Sequence, residues 1–452
     1  MRWALALLCL TLPAAGDLAP AQGPTPASLV GAPLPAPVSD ADYRAVDPDE
    51  AALGWLLFYD PILSGNRNIA CATCHHPRFA TSDGVSLSLG EGGIGLGPDR
   101  RPDPHNRPEQ RLPRNAPALF NLGAHAFTRL FHDGRIEIDP TRPSGLRTPM
   151  GEEMLVGFAT LLSAQTMFPV LSPDEMAGHY SENAIAAAAR RGLITGPGGA
   201  WDLLSARVAA IPAYQAAFAA TYPEIAAGRP IAFTDISNAV AAFMEEEWRS
   251  DTSPYDAHLR GVTLLAGPAA EGLVLFYGKA GCASCHAGPF LTDHAFHAMG
   301  VPQIGPGKAA RFERHRRDDG RFRVTGRAPD RYRFRTPSLR NVMQTGPWGH
   351  DGAYTDMAAF LAAHADPAQA IGLYDPAQAL LPPLDGTAPF AALDDAVERA
   401  AIAAAATPAR HPLEPAEIAS LIAFLDSLSD PIALAGRRGI PTTLPSGLSP
   451  PR

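Results

Sequence analysis

The chain has 452 residues, enough for two or three domains with cores of their own. A formal net charge of -9 argues against a nucleic-acid-binding protein, and beyond residue 12 no stretch is apolar enough to span a bilayer. With 46 Pro, 41 Gly and repeated runs of Ala, the composition predicts helices separated by many loops.

In chain order, Met1–Leu12 is an Arg-containing start followed by the apolar run Trp3–Leu12, too short for a membrane span. It reads as a secretory signal occupying residues 1–21, cleaved near Ala19-Pro20-Ala21 or closer to Ala15. Cys9 lies inside it and follows Leu8, which is not a small residue, so a lipid anchor there is not expected. Residues 22–40 form a Pro/Ala-rich lead-in. Residues 41–250 and 251–435 then divide into two domains, and residues 436–452 form a tail that reads as frayed from Ile440. Trp201–Phe218 and Ile236–Trp248 carry apolar residues near helical spacing, the second capped by Thr234 or Asp235. Thr355 or Asp356 caps a helix with Met357, Phe360, Leu361 and His364 on one face. Glu417–Leu428 is a further helix, with Ile418, Leu421, Ile422 and Leu425 on one side. Little period-2 alternation is present, so the expected class is mainly α.

Two copies of one pattern carry chemistry: Cys71-Ala-Thr-Cys74-His75 and Cys282-Ala-Ser-Cys285-His286. Each reads as a c-type haem attachment site, because two thiols at this spacing can bond the two haem vinyl groups while the adjacent His ligates the iron. One match alone reads as well as chance or as a zinc half-site. Two matches use four of the five cysteines and leave no Cys partners for a structural zinc. Covalent haem attachment after export fits a bacterial periplasm.

The surroundings of the two motifs repeat. Gly54-Trp-Leu-Leu-Phe-Tyr59 precedes the first and Gly272-Leu-Val-Leu-Phe-Tyr277 the second. Pro117-Ala-Leu-Phe-Asn121 matches Pro337-Ser-Leu-Arg-Asn341, and His132-Asp-Gly134 matches His350-Asp-Gly352. The recurrence in one order predicts two cytochrome c-like haem domains related by internal duplication, joined by long loops. Arg311–Arg335 contains ten arginines and reads as a solvated loop with partial contact to haem propionates, or as a dock for an acidic partner.

These landmarks, with Leu57-Phe-Tyr-Asp-Pro61, Pro113-Arg-Asn-Ala-Pro117 and Phe131-His-Asp-Gly-Arg135, resemble the bacterial dihaem cytochrome c peroxidase family, which includes MauG, over roughly Asp47 to Asp430. The resemblance implies that peroxide reacts at the N-terminal haem, with His75 as its proximal ligand, and that the C-terminal haem, on His286, passes electrons or holds oxidising equivalents. It places Gln165, Pro169 and Glu175 in the distal pocket of the first haem, with Glu175 as acid/base; alone, Ser172-Pro-Asp-Glu175 reads as a solvated helix N-terminus. The family's optional distal His falls on Arg107, with His105 nearby, which implies an open first haem. The sixth ligand of the second haem, Met or Tyr in relatives, falls on His364, with Met357 as the competitor. His132 stands where relatives carry a Trp between the haems; alone it reads equally as a structural His in a turn. A calcium ion between the haems is implied, on the Asn115 side chain and the carbonyls of Thr345 and Pro347.

The expected activity is periplasmic reduction of hydrogen peroxide with electrons from a small cytochrome c or a cupredoxin. The alternatives are a MauG-like oxidase acting on Tyr or Trp of a partner protein, and a dihaem electron carrier without enzymatic activity. Relatives are often homodimers.

Overall fold

Two helix crossings organise the molecule. The computed structural model describes residues 33–180, 182–309, 313 and 315–452. The signal segment with Cys9, the lead-in up to residue 32, and Arg311 and Arg314 lie outside the described residues. In chain order, the helices that position the site are α1 (Pro48–Tyr59), α2 (Leu161–Thr166), α3 (Ala200–Ala209), α4 (Pro212–Thr221), α5 (Phe233–Glu247), α6 (Gly267–Tyr277), α7 (Met357–Ala365) and α8 (Pro415–Asp426). The fold is mainly α, and its strands are two or three residues long.

Helix α1 starts where Asp47 accepts from the N–H groups of Asp49 and Glu50 and Pro48 occupies the first helical position. It crosses α5 at Gly54, where a Cβ would lie 1.7 Å from the Ala239 carbonyl oxygen. Helix α6 crosses α8 at Gly272 in the same manner, with a Cβ placed 1.9 Å from the Ser420 carbonyl oxygen. Backbone meets backbone at both crossings, so only glycine fits. Around the first crossing Leu57, Phe58, Ile236, Val240 and Phe243 are buried; around the second, Leu273, Phe276, Leu421 and Phe424. Phe58 packs at 5.0 Å from Trp248, and Phe276 at 5.0 Å from Phe424, between ring centroids. Such aromatic pairs add about 0.5–1.5 kcal/mol each beyond their buried area.

The two asparagines of the repeated Pro-x-Leu-x-Asn segments are equally matched. Asn121 (φ 61°) and Asn341 (φ 62°) both adopt the left-handed conformation that Asn tolerates better than most residues. Asn121 donates its N–H to Trp248 O and accepts from Ser250 N (2.7 Å), closing the end of α5. Asn341 donates to Leu428 O and accepts from Asp430 N (2.7 Å), closing the end of α8.

Several local expectations change. Trp201–Phe218 is two helices, because Pro212 begins α4 and steers Ile211 into extended backbone (φ -90°, ψ 111°). The two meet at 99°, and their Trp201, Leu204, Tyr214 and Phe218 fill the first core. Among the described residues no single helix is long and apolar enough to cross a membrane. Neither Thr234 nor Asp235 is the N-cap of α5. That position is Ala232, and Asp235, one turn in, reaches back to the Ala232 N–H (2.8 Å) while Arg229 grips its carboxylate. Asp356 does cap α7, accepting from Ala358 and Ala359 N–H. Helix α8 begins two residues before the expected Glu417, with Pro415 in its first turn.

The tail is not frayed. Leu444 is buried in the first core, Trp55 Nε1 donates to Gly439 O (2.7 Å), and Ser446 Oγ donates to Asp60 Oδ1 (2.7 Å). Polar hooks at separated positions hold it, which hydrophobic periodicity does not detect. At the other end, Leu34 packs on the second core and Arg260 donates to Val38 O (2.9 Å). Each end of the described chain therefore touches the half it does not belong to in sequence.

Among the described residues, three small antiparallel sheets complete the frame: β1 (Gly93–Ile94) with β2 (Arg101–Pro102); β3 (Arg129–Leu130), β4 (Ile136–Ile138) and β5 (Leu146–Arg147); and β6 (Phe296–His297) with β7 (Phe334–Arg335). The β3–β4 turn carries His132-Asp133-Gly134, with Leu130 paired to Ile136. Arg335 N of β7 donates to His132 O (2.7 Å), tying that turn to the second half.

Candidate functional site

Two cavities, of about 160 and 300 Å3, open beside the two Cys-x-x-Cys-His segments. The smaller is lined by Cys71, Cys74, His75, Gln165, Pro169, Glu175, Arg135 and Lys308. The larger is lined by Cys282, Cys285, His286, Met357, His364, Thr345 and Pro347. His132 and Asn115 border both, so the structure brings these predicted residues together. His105 and Arg107 do not join them: both are exposed, and Arg107 pairs with Asp385 at 3.4 Å.

The thiols form no disulfide. Burial pushes Cys71 up to about 12 and Cys74 and Cys282 up to about 11, so these three stay protonated in apolar surroundings. Cys285 is lowered by its hydrogen bond with His297, and Cys285, Asp293 and His297 bring ligand atoms within 4.8 Å of one another. That trio is the one alternative metal donor set found among the described residues, and haem attachment would consume its thiol.

The three histidines predicted to bind iron share one arrangement. His75 Nδ1 lies 2.9 Å from Thr81 O, His286 Nδ1 3.1 Å from Leu291 O, and His364 Nδ1 2.8 Å from Phe360 O. A ring nitrogen spent on a carbonyl fixes the tautomer that leaves Nε2 as the lone-pair donor. Burial keeps all three below the usual imidazole range, and hence neutral. Of the ionisable groups around His286, His364 acts on it most strongly. Met357 lines the same cavity one face-repeat earlier on α7. Unpaired thiols, an anchored imidazole and an apolar cavity fit a c-type haem at each motif.

On the other flank of the first cavity, Glu175 sits in the turn Pro173–Ala177, whose first N–H groups are held by Ser172. Ser172 caps the turn, as the helix N-terminus reading expects; Glu175 is half-buried beside the buried Met176 and Ala177. Burial pushes the Glu175 carboxyl up, and Lys308 and then Arg135 pull it back. Gln165 Oε1 is buried without a hydrogen-bond partner, an acceptor waiting at the same cavity. Asn115 Nδ2 donates to Val85 O (2.9 Å) and Ser86 O, leaving its carboxamide oxygen free of those bonds. With the backbone of Thr345 and Pro347 on the same cavity, that oxygen is the kind of hard donor calcium takes.

Sequence reasoning missed a buried polar layer behind the first cavity. Arg114 pairs with Asp133 (2.7 Å) and with Asp318 (2.6 and 2.9 Å), and all three are buried. His132 is held well below the usual imidazole range by burial, then by Arg114, His350 and Arg335, so it is a neutral ring. Arg135 stacks on Phe131 at 3.7 Å. The Arg-rich segment is solvated at Arg316, Arg323, Arg327 and Arg333 but not at Arg321, which is buried and donates to Asp133 O, Gly134 O and Glu137 across the two halves. Arg114 and Arg135 stood inside quoted motifs and were legible as charges there. Lys308, in a Gly-Pro-Gly-Lys loop, carried no signal.

A family model described as di-haem cytochrome c peroxidase matches residues 48–263. The chain is 30% identical over 319 residues to the methylamine utilization protein MauG of Methylorubrum extorquens, covering 70% of this chain and 68% of that protein. It is 28% identical over 327 residues to the cytochrome c551 peroxidase of Pseudomonas aeruginosa, covering 72% and 74%. Among solved structures, a MauG-like protein associated with microbial copper homeostasis aligns with TM-score 0.56 and 26% identity over 89% of this chain and 95% of that one. The diheme peroxidase BthA from Burkholderia thailandensis shares the fold, with TM-score 0.57 and 21% identity over 93% and 96%.

Proposed function

Because the chain belongs to the di-haem cytochrome c peroxidase family, we propose that it reduces hydrogen peroxide to water in the periplasm, drawing electrons from a small cytochrome c or a cupredoxin. It is an oxidoreductase of the peroxidase type with two haem cofactors. The observation that carries the finer reading is an asymmetry. The second cavity holds two carbonyl-anchored imidazoles, His286 and His364, whereas the first sets His75 with the carboxyl of Glu175 and the unpartnered Gln165.

Cys71 and Cys74, and Cys282 and Cys285, attach the two groups covalently, and His75 and His286 ligate their irons. When bound, the groups would supply redox-active iron, for reaction with peroxide at the first site and for electron storage at the second. Glu175 takes a proton from peroxide as it binds and returns it to the departing oxygen as water forms. Gln165 Oε1 accepts a hydrogen bond from the incoming molecule. His132, a neutral ring between the cavities, is part of the path joining them. Asn115, Thr345 and Pro347 hold a calcium ion that fixes the spacing of the halves. The halves, residues 41–250 and 251–435, descend from a duplication, which the paired glycine crossings and left-handed asparagines support.

A second reading is favoured by His364 and His132. Two imidazole ligands give a lower potential than His/Met, since thioether ligation raises it. That eases withdrawal of further electrons from the second site and suits oxidation of Tyr or Trp on a partner protein.

Electron paramagnetic resonance of the ferric protein, before and after one equivalent of peroxide, tests the proposal. A high-spin signal beside a low-spin bis-imidazole signal, both altered by peroxide, is expected. Two low-spin signals indifferent to peroxide would instead leave an electron carrier.

A further inference from the structure

Lys308 is the only described group from beyond residue 244 among those lining the first cavity. The second half delivers it by a loop held at every step. Ile304 N donates to Asp351 Oδ2 (2.9 Å), inside the second His-Asp-Gly, and Gly305 N to Pro389 O (2.6 Å). Gln303 and Asp318 exchange two hydrogen bonds, Nε2 to Asp318 O (2.7 Å) and Asp318 N to Oε1 (2.8 Å). Gly307 adopts φ +67° hard against the backbone of Arg316, which lets the chain turn in the residue before Lys308. An ammonium set this firmly in a cavity is a placed charge.

The charges around it define what it can do. Arg114, Arg135, Asp133 and Glu175 act on Lys308. Arg114 is taken by Asp133 and Asp318, and Arg135 shares Asp133. Glu175 meets Lys308 as its foremost cationic influence, then Arg135, with Asp174 opposing from its own turn. His75 and His132 are the imidazoles on the same cavity, and Cys74, which also lines it, is a neutral thiol and stays uncharged as a thioether.

We infer that Lys308 is a positioning residue for the peroxide step: its ammonium holds the Glu175 carboxyl in the ionised form that accepts a proton. The inference rests on Glu175 acting as the acid/base. The step balances as hydrogen peroxide and carboxylate giving hydroperoxide and carboxylic acid, with no change of oxidation state. Lys308 itself transfers nothing. Burial pushes the carboxyl up and the ammonium down to about 8, with Arg135 and Arg114 adding to the latter; Lys308 opposes the first shift and Asp133 and Glu175 oppose the second.

Hydrogen cyanide makes the same demand, since it must lose a proton before binding ferric iron, and its binding needs no turnover. Its association rate with the ferric holoprotein, followed by the Soret shift across pH, is the test in wild type, Lys308→Met, Lys308→Arg and Glu175→Gln. Lys308→Met is expected to move the acid limb of the rate up by about one pH unit, a fall of about tenfold on that limb. Lys308→Arg should keep it near the wild-type position, and Glu175→Gln should abolish it. A limb unmoved in Lys308→Met overturns the inference. So does a change confined to the midpoint potential of the first haem, which would show that Lys308 grips a haem carboxylate instead. A limb that survives in Glu175→Gln sinks the acid/base reading itself, a separate failure. Should Lys308→Met not accumulate with two haems, carboxyl infrared spectra of wild type against Glu175→Gln decide: a protonated Glu175 at neutral pH overturns the inference.

Discussion

Replacing Arg114 by Met should unseat the buried layer behind the first cavity, and the cost follows from its partners. The guanidinium bridges Asp133 and Asp318, with 8%, 2% and 2% of the three residues exposed. Removing one member of a buried ion pair costs about 3–5 kcal/mol, because the survivor stays charged and dry. Asp133 keeps Arg135 at 3.1 Å, so the loss falls on Asp318, which keeps the Gly320 N–H (2.9 Å). The lower end, about 3 kcal/mol, is the expected loss, or roughly 6–12 °C for a half of this size. The pH dependence is more diagnostic than the size. In wild type Asp318 is lowered to about 2; burial opposes this, and Arg114 is the largest favourable cause. A carboxyl lowered on folding contributes stability that is present above the unfolded value, about 3.9, and lost as pH falls toward 2; here that is about 2.5 kcal/mol. Without Arg114, burial outweighs the remaining Gly320 N–H and His350 and raises the carboxyl, so the variant should gain stability on acidification from neutral pH toward about pH 5. Denaturant unfolding of the holoprotein, read by near-ultraviolet circular dichroism and the Soret band across that range, measures both. A loss below about 1 kcal/mol with an unchanged acid profile would refute the reasoning.

Glu175→Gln should slow the reaction with peroxide by about 10²–10⁴-fold in stopped-flow while the resting spectra of both haems stay unchanged. His364→Ala should turn the low-spin signal of the second haem high-spin; an unchanged signal there, with loss in Met357→Ala, would assign the ligand to Met357. Gly54→Ala and Gly272→Ala should each destabilise the protein by about 1–3 kcal/mol or more, since each added methyl meets a carbonyl oxygen and not a movable side chain. Chemical denaturation of the two variants separates these crossings from glycines such as Gly372, which faces open space at an ordinary φ.

What could be read from the chain differed by kind of interaction. The helix crossings announce themselves as Gly-x-x-x-Phe-Tyr before each Cys-x-x-Cys-His, because local sequence encodes an apolar face and the need for a glycine on it. Asp356 as a cap was legible for the same reason. Asp235 was misplaced by three positions, since a carboxylate serves a helix start equally from the cap or from one turn inside. Within the Arg-rich segment the burial of Arg321 was not legible, because charge counts carry no partners: Glu137, which receives it, lies 184 positions away. Lys308 was invisible. A lone Lys among glycines means nothing until Gln303, Asp318 and Asp351 fix the loop that carries it.

The interchange of chain ends has a consequence for biosynthesis. Leu444 and Leu448 contribute to the core built on α1 and α5, and Glu247 near the end of α5 accepts the N–H groups of Arg437 and Arg438. A growing polypeptide therefore cannot finish its first globule when residue 250 has been made; it must wait for the last residues to be threaded back. A stop just before this final stretch therefore leaves the first core short of its last contacts although residues 41–250 are all present, while the second core has every residue it uses.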